Sequence, residues 1–263
     1  MTPDALLADF RARIRLAHRE DEPAPGIVLD AAGPVLRRYP VEPGTSWCMV
    51  QSPAGLLEDP DRHIEDACAF FGARGEAFEW KTCDDDLPPD LLDRLVRRGF
   101  EPDPPEALML GELASLVADV RTDATVARLR PGESCDGIGR LMVEVWRGTT
   151  ERAGWLADEM ADNPDLIDVF VATDPDDGRV VSAAWVRYTP GTGWASFWGG
   201  MTAPGWRGRG AYRALVSARA KVAIDKGYRF VRVDCTPDSE PILTRLGLVR
   251  AATTTPARWA PGS

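Results

Sequence analysis

The residue types best suited to chemistry stand together at Thr202-Ala203-Pro204-Gly205-Trp206-Arg207-Gly208-Arg209-Gly210-Ala211-Tyr212. Glycines let a backbone approach an anion closely and turn its N–H groups toward it, and the two arginines add charge. A helix starting at Ala211 would contribute the unpaired N–H donors of its first turn and the positive end of its dipole. Together these residues suit the cradling of a phosphate. A Walker A loop would end in Gly-Lys-Ser or Gly-Lys-Thr, and a Rossmann fingerprint would lack the two arginines, so neither fits. An ordinary basic turn capping a helix could use the same residues, and the flanking elements decide between the readings.

Those elements must supply a strand before the loop and a helix after it. Residues 194–202 read as an aromatic strand. The helix that follows places Ala211, Ala214, Leu215, Ala218 and Val222 on one apolar stripe, with Arg213, Arg219 and Lys226 off it. Upstream lie a strand over 126–129, a helix over 133–147 and a second, acidic helix carrying Glu151, Asp158, Glu159 and Asp162. Strands over 166–173 and 180–188 flank the turn Asp174-Pro175-Asp176-Asp177-Gly178. Downstream come a strand over 227–235, a helix over 237–246 closed by Gly247-Leu248, and a strand pair.

The segment Arg207-Gly208-Arg209-Gly210-Ala211 resembles the R/Q-x-x-G-x-G/A loop of the GCN5-related N-acetyltransferase (GNAT) superfamily, and the element order over residues 125–260 matches that fold. The resemblance implies an α/β (α+β) protein whose mixed, mostly antiparallel central sheet is flanked by helices. It also implies acetyl-CoA as cosubstrate. Arg207, Gly208, Arg209, Gly210, Ala211 and Tyr212 would hold the coenzyme's pyrophosphate, and Met201, Thr202 and Ala203 would line its pantetheine arm. The central strands would splay between 195–202 and 230–234, exposing N–H donors around Gly200 and Met201 to an oxyanion. The implied activity is transfer of acetyl to a primary amine by direct attack.

Three departures from the family pattern bear on catalysis. The strand before the loop reads Phe197-Trp198-Gly199-Gly200-Met201 and carries no carboxylate, so Asp234, Glu240 or Glu151 would have to take the amine proton through water. Leu243 stands where many members have the tyrosine that protonates the leaving thiolate; Ser239, a water or another tyrosine would replace it. Ser239 also stands among the expected coenzyme contacts. Tyr212 replaces a small residue, its ring directed along the coenzyme or into the sheet. The alternative is a catalytically inactive acetyl-CoA or CoA-binding regulatory module. Trp146, Trp155 and Trp198 could wall an acceptor pocket by stacking and cation–π contact, while Trp185 suits core packing.

The N-terminal half repeats part of this order. A helix over 4–20 and short apolar runs at Ile27-Val28-Leu29 and Trp47-Cys48-Met49-Val50 precede a helix from Asp61, a strand over 78–83 and a helix over 88–98. Gly75 and Cys83 bracket the strand as Gly227 and Cys235 bracket its later counterpart. Two tandem copies are expected, with domains at 1–118 and 125–263. In the first, Leu57-Glu58-Asp59-Pro60-Asp61-Arg62 offers carboxylates where a phosphate would sit, so that half is expected not to bind coenzyme.

Composition narrows the remainder. The 263 residues exceed one typical domain, and 44% are hydrophobic. A net charge of −10 disfavours nucleic-acid and anionic-membrane partners and suits a small-molecule or peptide amine. The five cysteines are odd in number and lack a C-x-x-C pair, as reduced core thiols would be. With His18 and His63 alone, no metal site is expected. Neither a long apolar run nor a basic leader occurs, which points to a cytoplasmic monomer or homodimer.

Overall fold

The structure, a computed structural model, describes residues 1–17, 26–146 and 151–262; His18, the end of the first expected helix and the side chain of Glu151 lie outside the description. Helix α1 (Pro3–Phe10) begins where the Thr2 hydroxyl accepts from the Ala5 N–H at 3.3 Å. Strands β1 (Ile27–Ala32), β2 (Val35–Pro40) and β3 (Cys48–Gln51) form an antiparallel meander. Helix α2 (Pro60–Arg74) stops at Gly75, whose φ of 68° is left-handed, and β4 (Phe78–Cys83) returns parallel to β3. Then come α3 (Leu91–Arg97), β5 (Glu101–Pro102), β6 (Glu106–Glu112) and the single turn α4 (Leu113–Leu116).

The second half opens with β7 (Thr125–Arg128), α5 (Asp136–Trp146) and α6 (Glu151–Asp162). Strands β8 (Ile167–Thr173), β9 (Val180–Thr189) and β10 (Trp194–Thr202) pair antiparallel, with β7 antiparallel to β8. Helix α7 (Ala211–Asp225) leads to β11 (Phe230–Cys235), parallel to β10, and then to α8 (Glu240–Arg245) and β12 (Val249–Trp259).

Two compact units result. One comprises Met1–Met109, Asp234–Pro241 and Arg250–Ser263; the other comprises Leu110–Val233 and Ile242–Val249. This partition departs from a division at 118 and 125. The reason is β12, which pairs antiparallel with β4 from Thr254–Cys83 to Trp259–Phe78 and so carries the C-terminal residues into the first unit. The strand pair expected at the C-terminus is this one long strand.

Within each unit the order is the same: an antiparallel meander, a 15-residue helix, and a strand parallel to the meander's last. The sheet is accordingly mixed and mostly antiparallel. In the first unit α2 buries Ile64, Ala67, Cys68 and Phe71 against Trp80, Leu95 and Phe100, and Phe71 stacks on Phe78 with ring centroids 4.4 Å apart. In the second, α7 buries Ala211, Leu215, Val216, Ser217, Arg219, Ala220 and Ala223. Its buried face is therefore rotated from the expected stripe, and Arg219 lies inside it because main-chain carbonyls receive its guanidinium. All five cysteines are buried, and none forms a disulfide among the described residues. No helix among the described residues is long and apolar enough to cross a membrane.

Candidate coenzyme site

The end of β10 is irregular because of its glycines. Pairing with β9 runs in register to Trp198–Trp185 and resumes at Met201–Ala183, so Gly199 and Gly200 form a bulge. Gly199 has φ 63°, and a Cβ there would fall 1.9 Å from the Trp185 ring. At Gly200 a Cβ would fall 2.6 Å from the Tyr212 ring. Both glycines are thus required by rings packed against the backbone, Trp185 in the core role expected of it and Tyr212 turned into the sheet. Pairing with β11 covers only Trp194–Phe230 to Ser196–Arg232, while β10 continues to Thr202. The strand's last two thirds run on beyond the pairing with the parallel partner.

Past the bulge the strand is pinned to β9. The Ser182 hydroxyl donates to the Met201 carbonyl at 2.7 Å and lies 2.9 Å from the Thr202 hydroxyl, and the Ala203 N–H donates to the Val181 carbonyl at 2.8 Å. This modifies the expected pantetheine contacts: the Ala203 N–H is already engaged, leaving second lone pairs on the Met201 and Thr202 carbonyls. Pro204–Trp206 makes one tight turn that buries the Trp206 side chain, over which the Arg209 guanidinium lies at 4.9 Å. Arg207, Gly208 and Arg209 are exposed.

Gly208 (φ 79°) and Gly210 (φ 82°) both adopt the left-handed conformation. Gly210 is the N-cap of α7 and, having no side chain, makes no side-chain cap hydrogen bond to the first turn. Left-handed residues alternating with ordinary ones turn successive N–H groups into one concavity, and the helix dipole adds to it. Beside it the Arg207 guanidinium reaches the Thr202 carbonyl at 3.5 Å.

The catalytic candidates belong to the other compact unit. Asp234 lies with Oδ2 2.7 Å from Lys81 Nζ, and its Oδ1 accepts from Thr254 Oγ1 at 3.2 Å, so both oxygens are engaged. Glu240 pairs with Arg250 at 3.2 Å, and the Ser239 and Glu240 N–H groups close on the Thr236 carbonyl at the start of α8. Leu243 is fully buried. Among the tryptophans, Trp155 and Trp198 already have guanidinium groups at their rings: Arg187 at 5.0 and 5.8 Å respectively, and Arg232 at 5.3 Å from Trp198. Arg187 is in turn paired with both carboxylate oxygens of Glu159, at 2.5 and 2.7 Å. Trp146 is 46% exposed.

Sequence reasoning missed Arg219. It is 1% exposed, and it donates to the carbonyls of Leu215 (3.2 Å), Trp185 (3.2 Å) and Trp198 (3.4 Å) while stacking on Phe197 at 4.1 Å. Burial lowers its guanidinium to about 10, with the hydrogen-bonding Tyr212 side chain opposing that shift, so it stays charged at neutral pH. The available signal was its place on α7 between Val216 and Ala220, but periodicity assigns arginine to the solvent side by default.

The acetyltransferase (GNAT) family model matches residues 137–246, from α5 through α8. Those residues of the chain are thus similar to an acetyltransferase (GNAT) domain. Its whole fold is similar to that of a GCN5-related N-acetyltransferase from Kribbella flavida, with a TM-score of 0.68, 16% identity, and 100% of this chain and 96% of that one covered. A GCN5-related N-acetyltransferase from Sphaerobacter thermophilus aligns with a TM-score of 0.61 at 15% identity, over 99% and 94% of the two chains. A tandem GNAT protein from the clavulanic acid biosynthesis pathway aligns with a TM-score of 0.61 at 13% identity, over 99% and 96%. At these identities the likeness is one of fold. No curated protein matches the chain in sequence.

Proposed function

We propose that the protein is an acyl-CoA-dependent N-acetyltransferase that transfers acetyl from acetyl-CoA to a primary amine of a small molecule or peptide. The observation that carries this reading is the pair of left-handed glycines, Gly208 and Gly210, leading into the start of α7 directly after the bulged end of β10. The concavity of N–H donors suits a pyrophosphate, with Arg207 and Arg209 neutralising its charge. Acetyl-CoA supplies an acetyl group already activated as a thioester.

The chain's own work is then positioning and electrostatics. Main-chain N–H groups at the bulge stabilise negative charge developing on the carbonyl oxygen, a contribution of about 2.7–4 kcal/mol per donor in comparable sites. Ser239 and Glu240 are assigned to proton handling, and Asp234, held by Lys81, to a lesser share of it. The test is release of free thiol from acetyl-CoA in the presence of amines, alongside calorimetric titration of the coenzyme. Turnover that depends on an amine supports the reading; coenzyme binding without turnover supports the alternative, a regulatory CoA-binding module. That alternative draws on Leu243, a buried side chain with no proton to give at the family's tyrosine position.

A further inference from the structure

Arg219 places a full charge beneath the bulge of β10, and its hydrogen bonds identify what it does there. Three go to main-chain carbonyls, two of them, Trp185 and Trp198, paired across β9 and β10 at the last residues before the bulge, and a fourth joins the Tyr212 side chain. The Trp198–Gly199 peptide is trans, so its C=O and N–H point in opposite directions. Because the Trp198 carbonyl is drawn toward Arg219 on α7, the Gly199 N–H is turned to the opposite side of β10. A charged donor on that carbonyl also polarises the peptide and strengthens the N–H as a donor.

Gly199 is suited to this arrangement for two separate reasons. Its φ of 63° is left-handed, and the Trp185 ring occupies the place of a Cβ. Tyr212 completes the support, with its ring against Gly200 and its side chain hydrogen-bonded to Arg219. The bulge is thereby held by a cation, an aromatic ring and a phenol, all in the second unit.

We infer that Arg219 is a positioning residue for acyl transfer: it sets the Trp198–Gly199 peptide so that the Gly199 N–H, rather than those around Gly200 and Met201 alone, serves as donor to the thioester carbonyl. This rests on the acetyltransferase reading above. Acetyl-CoA labelled at the acetyl carbonyl, followed by infrared difference spectroscopy, reports hydrogen bonding at that oxygen without requiring the acceptor amine. The wild-type protein is expected to lower the carbonyl stretch on binding. Arg219→Met is expected to lose that lowering while binding coenzyme A itself with little change in affinity, and Arg219→Lys, which keeps the charge, to retain part of it. In the ligand-free protein the Gly199 amide resonance is expected to move in Arg219→Met and less in Arg219→Lys.

An unchanged carbonyl stretch and an unchanged Gly199 resonance in Arg219→Met would overturn the inference. If that variant does not fold, Arg219→Lys decides by the same two readouts. Failure of the wild-type protein to bind acetyl-CoA would overturn the acetyltransferase reading instead, and the amide resonance of the ligand-free protein would still decide whether Arg219 sets the peptide.

Discussion

Gly208 and Gly210 share a backbone conformation but have different surroundings, and the difference separates binding from packing. A Cβ at Gly208 meets nothing within 4 Å, whereas one at Gly210 would come within 2.2 Å of the Arg121 carbonyl oxygen. Gly208→Ala should therefore cost about 1 kcal/mol of stability, through the left-handed backbone alone. Distortion of the donor concavity should weaken coenzyme binding by roughly tenfold, equivalent to about 1.4 kcal/mol in a calorimetric titration. Gly210→Val should lower the unfolding free energy by about 2–4 kcal/mol in urea, because rigid backbone cannot yield to the new side chain. Loss of binding in that variant alone would speak to packing and leave the cradle unexamined. The thiols give a second residue-scale expectation. Burial pushes Cys48 and Cys235 up to about 12 and Cys68 and Cys135 up to about 11, above the ordinary 9.0. An acid whose folded pKa is raised stabilises the fold while its unfolded form is also protonated. That contribution is lost as pH rises from about 9 toward 11–12, so urea midpoints should fall between pH 8 and pH 10. The loop was legible at this scale because glycine and arginine at fixed spacing have few uses. Arg219 was not, since whether an arginine is buried depends on which carbonyls the tertiary structure aims at it.

The bulge in β10 shows what an element can disclose before folding and what it cannot. Gly199-Gly200 inside an aromatic strand signals an irregularity, but the rings that require it, Trp185 and Tyr212, come from a neighbouring strand and the following helix. Likewise the periodicity of α7 announces a buried helix, while its face is set by the partners it meets. One such partner is the segment before β7, where Ser217 accepts from the Ala118 N–H at 3.0 Å and donates to the Ala118 carbonyl at 2.8 Å. Ser217 is 3% exposed, so Ser217→Ala should cost about 1–3 kcal/mol for the orphaned backbone groups and speed amide exchange at Ala118. An unchanged exchange rate would mean that the staple is not made. The strands β2, β5 and β6 escaped sequence reading: β5 is two residues long, and in β2 the adjacent Arg37 and Arg38 break the alternation of a half-buried strand. The final strand pair became one strand because Pro256, the turn former within Val249–Trp259, is held in register opposite Lys81 of β4.

At the scale of the molecule, the shared order of meander, helix and parallel strand in the two units gives the faint sequence repeat a structural counterpart. One difference between the units lies at a single backbone position. Both 15-residue helices start from a left-handed N-cap, Gly210 for α7 and Asp59, with φ 44°, for α2. The geometry persists while a carboxylate replaces the glycine. The boundary between units was less legible, because strand pairing over long sequence separation leaves no local mark. It makes a direct prediction: deleting residues 250–263 removes the partner of β4, so amides of β4 should lose protection in hydrogen exchange. Retained protection would contradict the partition.

The central claim, that the GNAT-like domain binds acetyl-CoA through the Gly208–Gly210 loop and passes its acetyl group to an amine, is tested most directly by incubating the protein with acetyl-CoA and a panel of amines while free thiol is followed. The account predicts amine-dependent thiol release, with the mass of one acetyl group gained by the amine consumed and the rate reduced in Gly208→Ala. Thiol release that is absent for every amine, at coenzyme concentrations that saturate the protein, would contradict it.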